Sequence, residues 1–198
     1  MVKTAESITS DFELIFVNDG SPDNSAALIR ELIQKDDRVI LIDLSRNFGH
    51  HHAIMAGLEQ SLGEFVFLID IDLEESPEWL NDFYGDLLQR HCDVVFGVQE
   101  RRKGSRFESA SGSWFYTLFN KLSPTHITPN LCTVRLMTRQ YVNAVIQMKE
   151  KNIFLAGIFS WVGFHQYGKT VKKGSRETPS TYTLSKKFSL LENAISSF

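Results

Sequence analysis

Phe12-Glu13-Leu14-Ile15-Phe16-Val17 is a short apolar, β-branched run that breaks into Asn18-Asp19-Gly20-Ser21-Pro22, a polar turn closing on Ser-Pro. The same order returns downstream. Apolar runs at Val39–Asp43, Phe65–Asp70 and Asp93–Gly97 each start 27, 26 and 28 residues after the one before. Helical patterns fill the intervals, over Pro22–Lys35, roughly His51–Leu62, and Pro77–Arg90. Strands repeated at this pitch with a helix between them are βαβ units, whose right-handed crossovers lay successive strands parallel in a sheet covered on both faces. The sequence therefore predicts an α/β fold with a mostly parallel central sheet. Ser21-Pro22 and Ser76-Pro77 predict two helix starts, a hydroxyl N-cap before a proline whose missing N–H costs nothing at the first helical position.

Beyond Gly97 the pattern is less regular. A basic polar segment, Gln99 to Arg106, precedes an aromatic helical stretch, Trp114–Leu122, and a turn at Ser123-Pro124. A helical pattern follows over Thr138–Lys149, then the apolar segment Ile153–Phe164 and a polar stretch from Lys169 to Pro179. The last 16 residues, Thr183–Phe198, put Leu184, Phe188, Leu191 and Ile195 on one helical face. Such a helix either packs on the domain or lies on a membrane surface with Lys186 and Lys187 near lipid phosphates.

Composition bounds the function. With 198 residues, 42% hydrophobic and 23% charged, the chain has material for one domain with a substantial core. A net charge of −3 argues against a nucleic-acid partner held by general charge, so any basic site is local. Cys92 and Cys132 show no metal-ligand spacing and read as reduced, buried thiols of a cytoplasmic chain. Ile153–Phe164 falls far short of the about 20 apolar residues of a membrane-spanning helix, and residues 1–6 lack the apolar stretch of a secretion signal.

In parallel α/β sheets, ligands bind beyond the carboxyl ends of the strands. Those ends read Asn18-Asp19-Gly20-Ser21, Ser45-Arg46-Asn47-Phe48-Gly49-His50 and Asp70-Ile71-Asp72-Leu73-Glu74. Turn chemistry alone accounts for the first as well as a site does. Asp70 and Asp72 carry more information, because two carboxylates at a strand end repel unless a cation or donor compensates. Mg²⁺ or Mn²⁺ does so, taking one or two carboxylates and filling its other positions with water and phosphate oxygens. His50-His51-His52 fan out around a helix axis and do not make a metal site by themselves, although His50 is placed to touch a ligand. Gly97 and Gly104 form no dinucleotide fingerprint. Trp79, Trp114 and Trp161 read as core or interface anchors.

Together these segments resemble the family 2 glycosyltransferases with the GT-A nucleotide-sugar-binding, Rossmann-like fold. The likeness rests on Phe16 to Ser25, on Ser45 to His50 with Ala53 and Gly57, on Asp70 to Glu74 with Pro77-Glu78, and on Val134-Arg135-Leu136-Met137. It looks most like the branch of dolichol-phosphate mannose synthases and bacterial polyprenyl-phosphate glycosyltransferases. The resemblance implies that Asp19 bonds the nucleotide base, with Asn47, Gly49 and His50 lining the donor pocket. Asp70, Asp72 and Glu74 would hold the metal and the ribose-diphosphate end, and Arg135 would lie near the phosphates as a catalytic cation beside Asp72. Arg101, Arg102, Lys103, Arg106, Lys172 and Lys173 would gather an acceptor phosphate, or else form a solvated face. The implied reaction is an inverting transfer from a nucleotide-diphosphate sugar, chiefly a UDP-sugar, to a polyprenyl-phosphate or other lipid-linked acceptor. It would occur at the cytoplasmic membrane face, in cell-envelope polysaccharide synthesis. The sequence leaves open a soluble or polysaccharide acceptor, a noncatalytic remnant acting as a binding module, and a homo-oligomer.

Three departures from the family pattern are expected to matter. Relatives open with a further strand and helix carrying Pro-x-Tyr/Phe-Asn, so residues 1–182 read as a GT-A domain lacking its first strand, and 183–198 as the amphipathic helix. Relatives also continue into transmembrane helices. Finally, many carry acidic residues just before Arg-Leu-Met, where this chain has Thr133. A hydroxyl acceptor calls for a general base, whereas a phosphate monoester, with a second pKa near 6, is already largely dianionic. Thr133 is thus compatible with a phosphate acceptor.

Overall fold

A computed structural model describes residues 1–100, 128, 130–148 and 154–174. In chain order it contains α1 (Val2–Glu6), β1 (Leu14–Asn18), α2 (Ser25–Ile33), β2 (Val39–Asp43), α3 (His50–Gln60), β3 (Phe65–Leu68), α4 (Trp79–Arg90) and β4 (Val94–Gln99). These are followed by β5 (Leu131–Thr138), α5 (Arg139–Gln147), α6 (Leu155–Trp161) and β6 (Gln166–Val171). The aromatic stretch Trp114–Leu122, the turn at Ser123-Pro124 and the terminal segment 183–198 lie outside the described residues.

The βαβ reading holds from β1 to β2, which pair in parallel from Leu14 opposite Val39 to Asn18 opposite Asp43. A second sheet has the order β3-β5-β4-β6. Here β5 runs antiparallel to both β3 and β4, and β6 runs parallel to β4. Three strands thus share one direction and β5 alone is reversed. Neither β5 nor β6 was legible as a strand, and β5 inserts between β3 and β4, which the repeat alone would have made neighbours.

Two helix starts differ from expectation. α2 begins at Ser25 after Asn24, and α4 at Trp79 after Glu78, with no side-chain cap bond at either. Each Ser-Pro instead opens a turn ahead of its helix: the Trp79 and Leu80 amides donate to the Ser76 and Pro77 carbonyls, both at 3.2 Å, and the Asp23 carboxylate accepts from the Ser25 amide at 3.0 Å. Proline's fixed φ suits a turn as well as a first helical turn. By contrast, Thr138 does cap α5, its hydroxyl accepting from the Tyr141 amide at 3.4 Å.

The core lies on the two faces of the second sheet, sorted by the period of two along its strands. Val94, Phe96 and Met137 face Ile54, Met55 and Leu58 of α3, Tyr141, Val142 and Val145 of α5, and Ile158 and Phe159 of α6. Val95, Val134 and Leu136 face Leu80, Phe83 and Leu87 of α4. Each fully buried large apolar side chain contributes about 1.5–3 kcal/mol, so this sheet carries most of the stabilisation. Cys92 and Cys132 are free and buried, and burial pushes the Cys132 thiol up to about 11.

Leu14–Val17 and Phe65–Leu68 are only half-buried, because β1 and β3 each pair on one edge alone among the described residues. The strands are tied at their starts, where the Glu13 carboxylate accepts from the Leu62 amide at 2.7 Å. Among the described residues no helix is long and apolar enough to cross a membrane.

Candidate functional site

The tie at the opposite rim is built from the polar strand ends. At the ends of β1 and β2, Asn18 Nδ2 donates to Asp43 at 2.7 Å, and Asn18 Oδ1 accepts from the Ser21 amide at 3.1 Å. Asp19 follows, its two carboxylate oxygens accepting from the Phe48 and Gly49 amides at 2.7 and 2.9 Å. Asn47 Nδ2 donates to the Asp19 carbonyl at 3.0 Å. This close approach requires glycine at position 20: φ is +67°, and a Cβ there would sit 2.6 Å from the Asn47 backbone nitrogen. Gly49, at φ +100°, turns the chain into α3, and the first helical side chain, His50, meets Asp70 beyond β3 at 2.9 Å.

Asp19, Asn47, Gly49, His50 and Asp70 therefore form one connected group. Donating to the Asp70 carboxylate raises the His50 imidazole above its ordinary value, against the opposing effect of burial. Burial also opposes the charge on Asp70. His50, the Thr133 hydroxyl and Lys173 outweigh it and hold the carboxyl below the usual range.

The loop after β3 inverts the normal rule of exposure. Ile71 and Leu73 are 77% and 90% exposed, whereas Asp70, Asp72 and Glu74 are half-buried. Leu73 adopts φ +63°, and the Asp72 carboxylate accepts from the Glu74 amide at 3.1 Å. Strain of this kind persists only where surroundings over-determine it, and it collects at functional sites. Among the described residues no three acidic, histidine or cysteine side chains converge as a metal cage. Mg²⁺ and Mn²⁺ rarely use one, since one or two carboxylates suffice when substrate phosphates and water complete the shell. Asp70 and Asp72 offer hard oxygen donors of that number and type, so the residues fit a cation shared with a substrate. Glu74 accepts from the Gly174 amide through its carbonyl at 2.8 Å and lies 3.8 Å from Lys173 Nζ.

Two expectations are changed. Arg135 is 2% exposed, with its guanidinium 3.6 Å above the Phe159 ring and donating to the Thr133 and Cys132 carbonyls at 3.0 and 3.3 Å. Burial lowers it to about 10. It is committed to the core and is not presented to a phosphate. Lys173 is 2.9 Å from Glu75 and so belongs to the loop after β3 rather than to an open basic patch, while Lys172 is exposed. Arg101, Arg102, Lys103 and Arg106 lie outside the described residues.

Sequence reasoning missed Glu75. Its side chain is wholly buried, and it accepts from the Asp70 amide at 3.1 Å and the Val134 amide at 3.4 Å. Burial raises its carboxyl despite Lys173. An acid next to Glu74 in a polar loop gives no sign of burial, and the only available signal was its position inside the Asp70–Pro77 motif.

The family model for glycosyl transferase family 2 matches residues 2–148. The chain belongs to that family. A Mycobacterium tuberculosis (strain CDC 1551 / Oshkosh) protein named as a glycosyltransferase is 41% identical over 98% of this family 2 chain and 56% of its own length. The bactoprenol glucosyl transferase of Shigella phage SfX is 35% identical over 77% of this chain and 50% of its own. The chain thus spans about half the length of these curated relatives. Among solved structures, glucosyl-3-phosphoglycerate synthase from Mycobacterium tuberculosis in complex with Mn²⁺ and UDP-glucose aligns over 99% of this chain and 71% of its own, with TM-score 0.58 and 16% identity. That likeness shows the GT-A fold.

Proposed function

We propose that this family 2 chain carries the donor site of a glycosyltransferase. It would move a sugar, with inversion, from a nucleotide-diphosphate sugar, chiefly a UDP-sugar, to a polyprenyl phosphate at the cytoplasmic face of a membrane. The product would feed cell-envelope polysaccharide synthesis. The observation that carries the reading is the linkage of three strand ends through Asp19–Gly49 and His50–Asp70, which sets a base-side loop and a pair of carboxylates on one rim. The bactoprenol glucosyl transferase relatives support a lipid-linked acceptor.

On this reading the Asp19 carboxylate shapes the base pocket by holding the Phe48 and Gly49 amides, and its remaining lone pairs face the base. His50 fixes the rotamer of Asp70. A Mg²⁺ or Mn²⁺ ion held by Asp70 and Asp72 would supply the positive charge that a departing diphosphate requires. Thr133, whose hydroxyl helps hold the Asp70 carboxyl down, stands where a base for a hydroxyl acceptor would be needed, and a phosphate acceptor attacks without one.

Calorimetry of UDP with Mn²⁺ tests the donor site. Binding should require the metal and be lost in Asp72→Ala, and unchanged affinity in that variant would overturn the site. Liposome flotation with and without residues 183–198 tests the membrane assignment, together with transfer to polyprenyl phosphate against a soluble sugar acceptor. Equal flotation and preference for the soluble acceptor would favour the soluble-acceptor reading.

A further inference from the structure

We propose that Glu75 is the positioning residue of the donor site: a buried carboxylate that sets the Asp70–Asp72 loop in register with β5 and with the end of β6. The proposal rests on the reading of Asp70 and Asp72 as cation holders. Glu75 itself touches no reacting atom.

A carboxylate excluded from water is strongly unfavourable unless donors surround it. Glu75 has three, drawn from three parts of the fold. Oε2 takes the Asp70 amide at 3.1 Å, Oε1 takes the Val134 amide at 3.4 Å, and Lys173 Nζ lies 2.9 Å from Oε1. The first contact closes the loop 70–75 on itself, from its last side chain to its first amide. The second fixes β5 one residue from Thr133, whose hydroxyl helps hold the Asp70 carboxyl down. The third anchors the residue just beyond β6.

A second tie runs beside the first. The Gly174 amide donates to the Glu74 carbonyl at 2.8 Å, and a Cβ at Gly174 would come within 3.2 Å of the Leu73 carbonyl oxygen. Between them these contacts pin the backbone on either side of Leu73, the exposed residue held at φ +63°. An apolar side chain at position 75 could fill the same volume, but it could accept from neither amide and would release the loop that presents Asp70 and Asp72. The group acts on the cation through the residues that hold it, which is how partners behind metal ligands tune affinity.

The test uses the full chain, with Mn²⁺ and UDP as probes, at temperatures where circular dichroism shows each variant fully folded. Glu75→Gln keeps the shape but loses one acceptor and the charge, and Lys173→Met removes the ion pair. Each should weaken Mn²⁺-dependent UDP binding by about 10-fold or more, whereas Lys173→Arg should stay close to the parent. Amide hydrogen exchange at Asp70 and Val134 should accelerate in Glu75→Gln. Unchanged affinity and unchanged exchange in that variant would overturn the proposal, as would lowered stability with affinity intact. If Glu75→Gln does not fold, the contrast between Lys173→Met and Lys173→Arg decides: equal affinities refute the role. Asp72→Asn separates the two readings. If it binds Mn²⁺ and UDP like the parent, the cation assignment fails, while amide exchange at Asp70 and Val134 still judges Glu75.

Discussion

Replacing Arg135 with methionine should destabilise the chain by about 1–4 kcal/mol and leave UDP affinity nearly intact. The reasoning starts at an irregularity in the sheet. Phe96 pairs with Arg135 and Val98 with Leu131, so β4 advances two residues while β5 advances four. The extra residues turn their carbonyls off the ladder, and the Arg135 guanidinium takes those of Thr133 and Cys132. Methionine fills much of the volume but leaves the buried Cys132 carbonyl and the part-buried Thr133 carbonyl without this donor, at about 1–3 kcal/mol for a fully buried acceptor and less for the other. The contact with the Phe159 ring adds about 2 kcal/mol when desolvated. Against this, removing a buried guanidinium recovers several kcal/mol of desolvation. The lost acceptors should win, because an unmade buried acceptor bears its full desolvation cost. Urea denaturation followed by circular dichroism measures the stability, and calorimetry with UDP and Mn²⁺ measures the site. Stability within about 0.5 kcal/mol of the parent together with a 10-fold or greater loss of UDP affinity would refute the argument and return Arg135 to the phosphates.

Other expectations follow from single contacts. The His50 imidazole should titrate above about 6.5, so its pairing with Asp70 stabilises fully below that pH and is lost as pH rises through the raised value. NMR titration reads this directly, and an unmoved midpoint in Asp70→Asn would contradict it. Gly20→Ala forces a Cβ to 2.6 Å from the Asn47 nitrogen and 2.7 Å from the Arg46 carbonyl carbon, so it should cost about 1–3 kcal/mol and weaken UDP binding. An unchanged melting temperature would exclude that contact. Gly97→Ala places a Cβ 2.8 Å from Val134 Cγ1 and 3.2 Å from Val171 Cγ2. It should cost about 1–3 kcal/mol by overpacking, with part recovered by Val134→Ala. Urea midpoints of the single and double variants check the coupling.

The part of the fold that sequence reveals is the part governed by local pattern. Apolar runs such as Val39–Ile42 mark strands even where, as at Ile40, a residue stays exposed, and Asn, Asp and Gly mark where the chain must turn, so three strand ends could be placed from the sequence. β5 escaped notice because Arg135 interrupts its apolar run, and its burial depends on carbonyls freed by a bulge, a long-range event. β6 reads Gln166-Tyr167-Gly168-Lys169-Thr170-Val171, too polar to announce itself, and is a strand because β4 offers it an edge. In the site, residues named by type and position came together: Asp19 with Gly49, and His50 with Asp70. Arg135, expected at the phosphates from the resemblance, and Lys173, expected in a basic patch from charge, lie elsewhere, because neighbouring carbonyls or a carboxylate claimed each first. Glu75 was invisible for the converse reason, since nothing in a sequence distinguishes a buried acid from a solvated one.

Across the break between β1 and β3, α3 is the shared board of two leaves. Among the described residues it packs on the core of the second sheet through Ile54, Met55 and Leu58 and lies against Val17 of β1 at Gly57, while Glu13 at one margin and His50 at the other add single contacts and no ladder joins β1 to β3. Asp19 belongs to one leaf and the Asp70 and Asp72 carboxylates to the other. A nucleotide lying across both would act as a clasp, so its binding free energy would be felt as rigidity of the β1–β2 leaf, growing with the logarithm of its concentration.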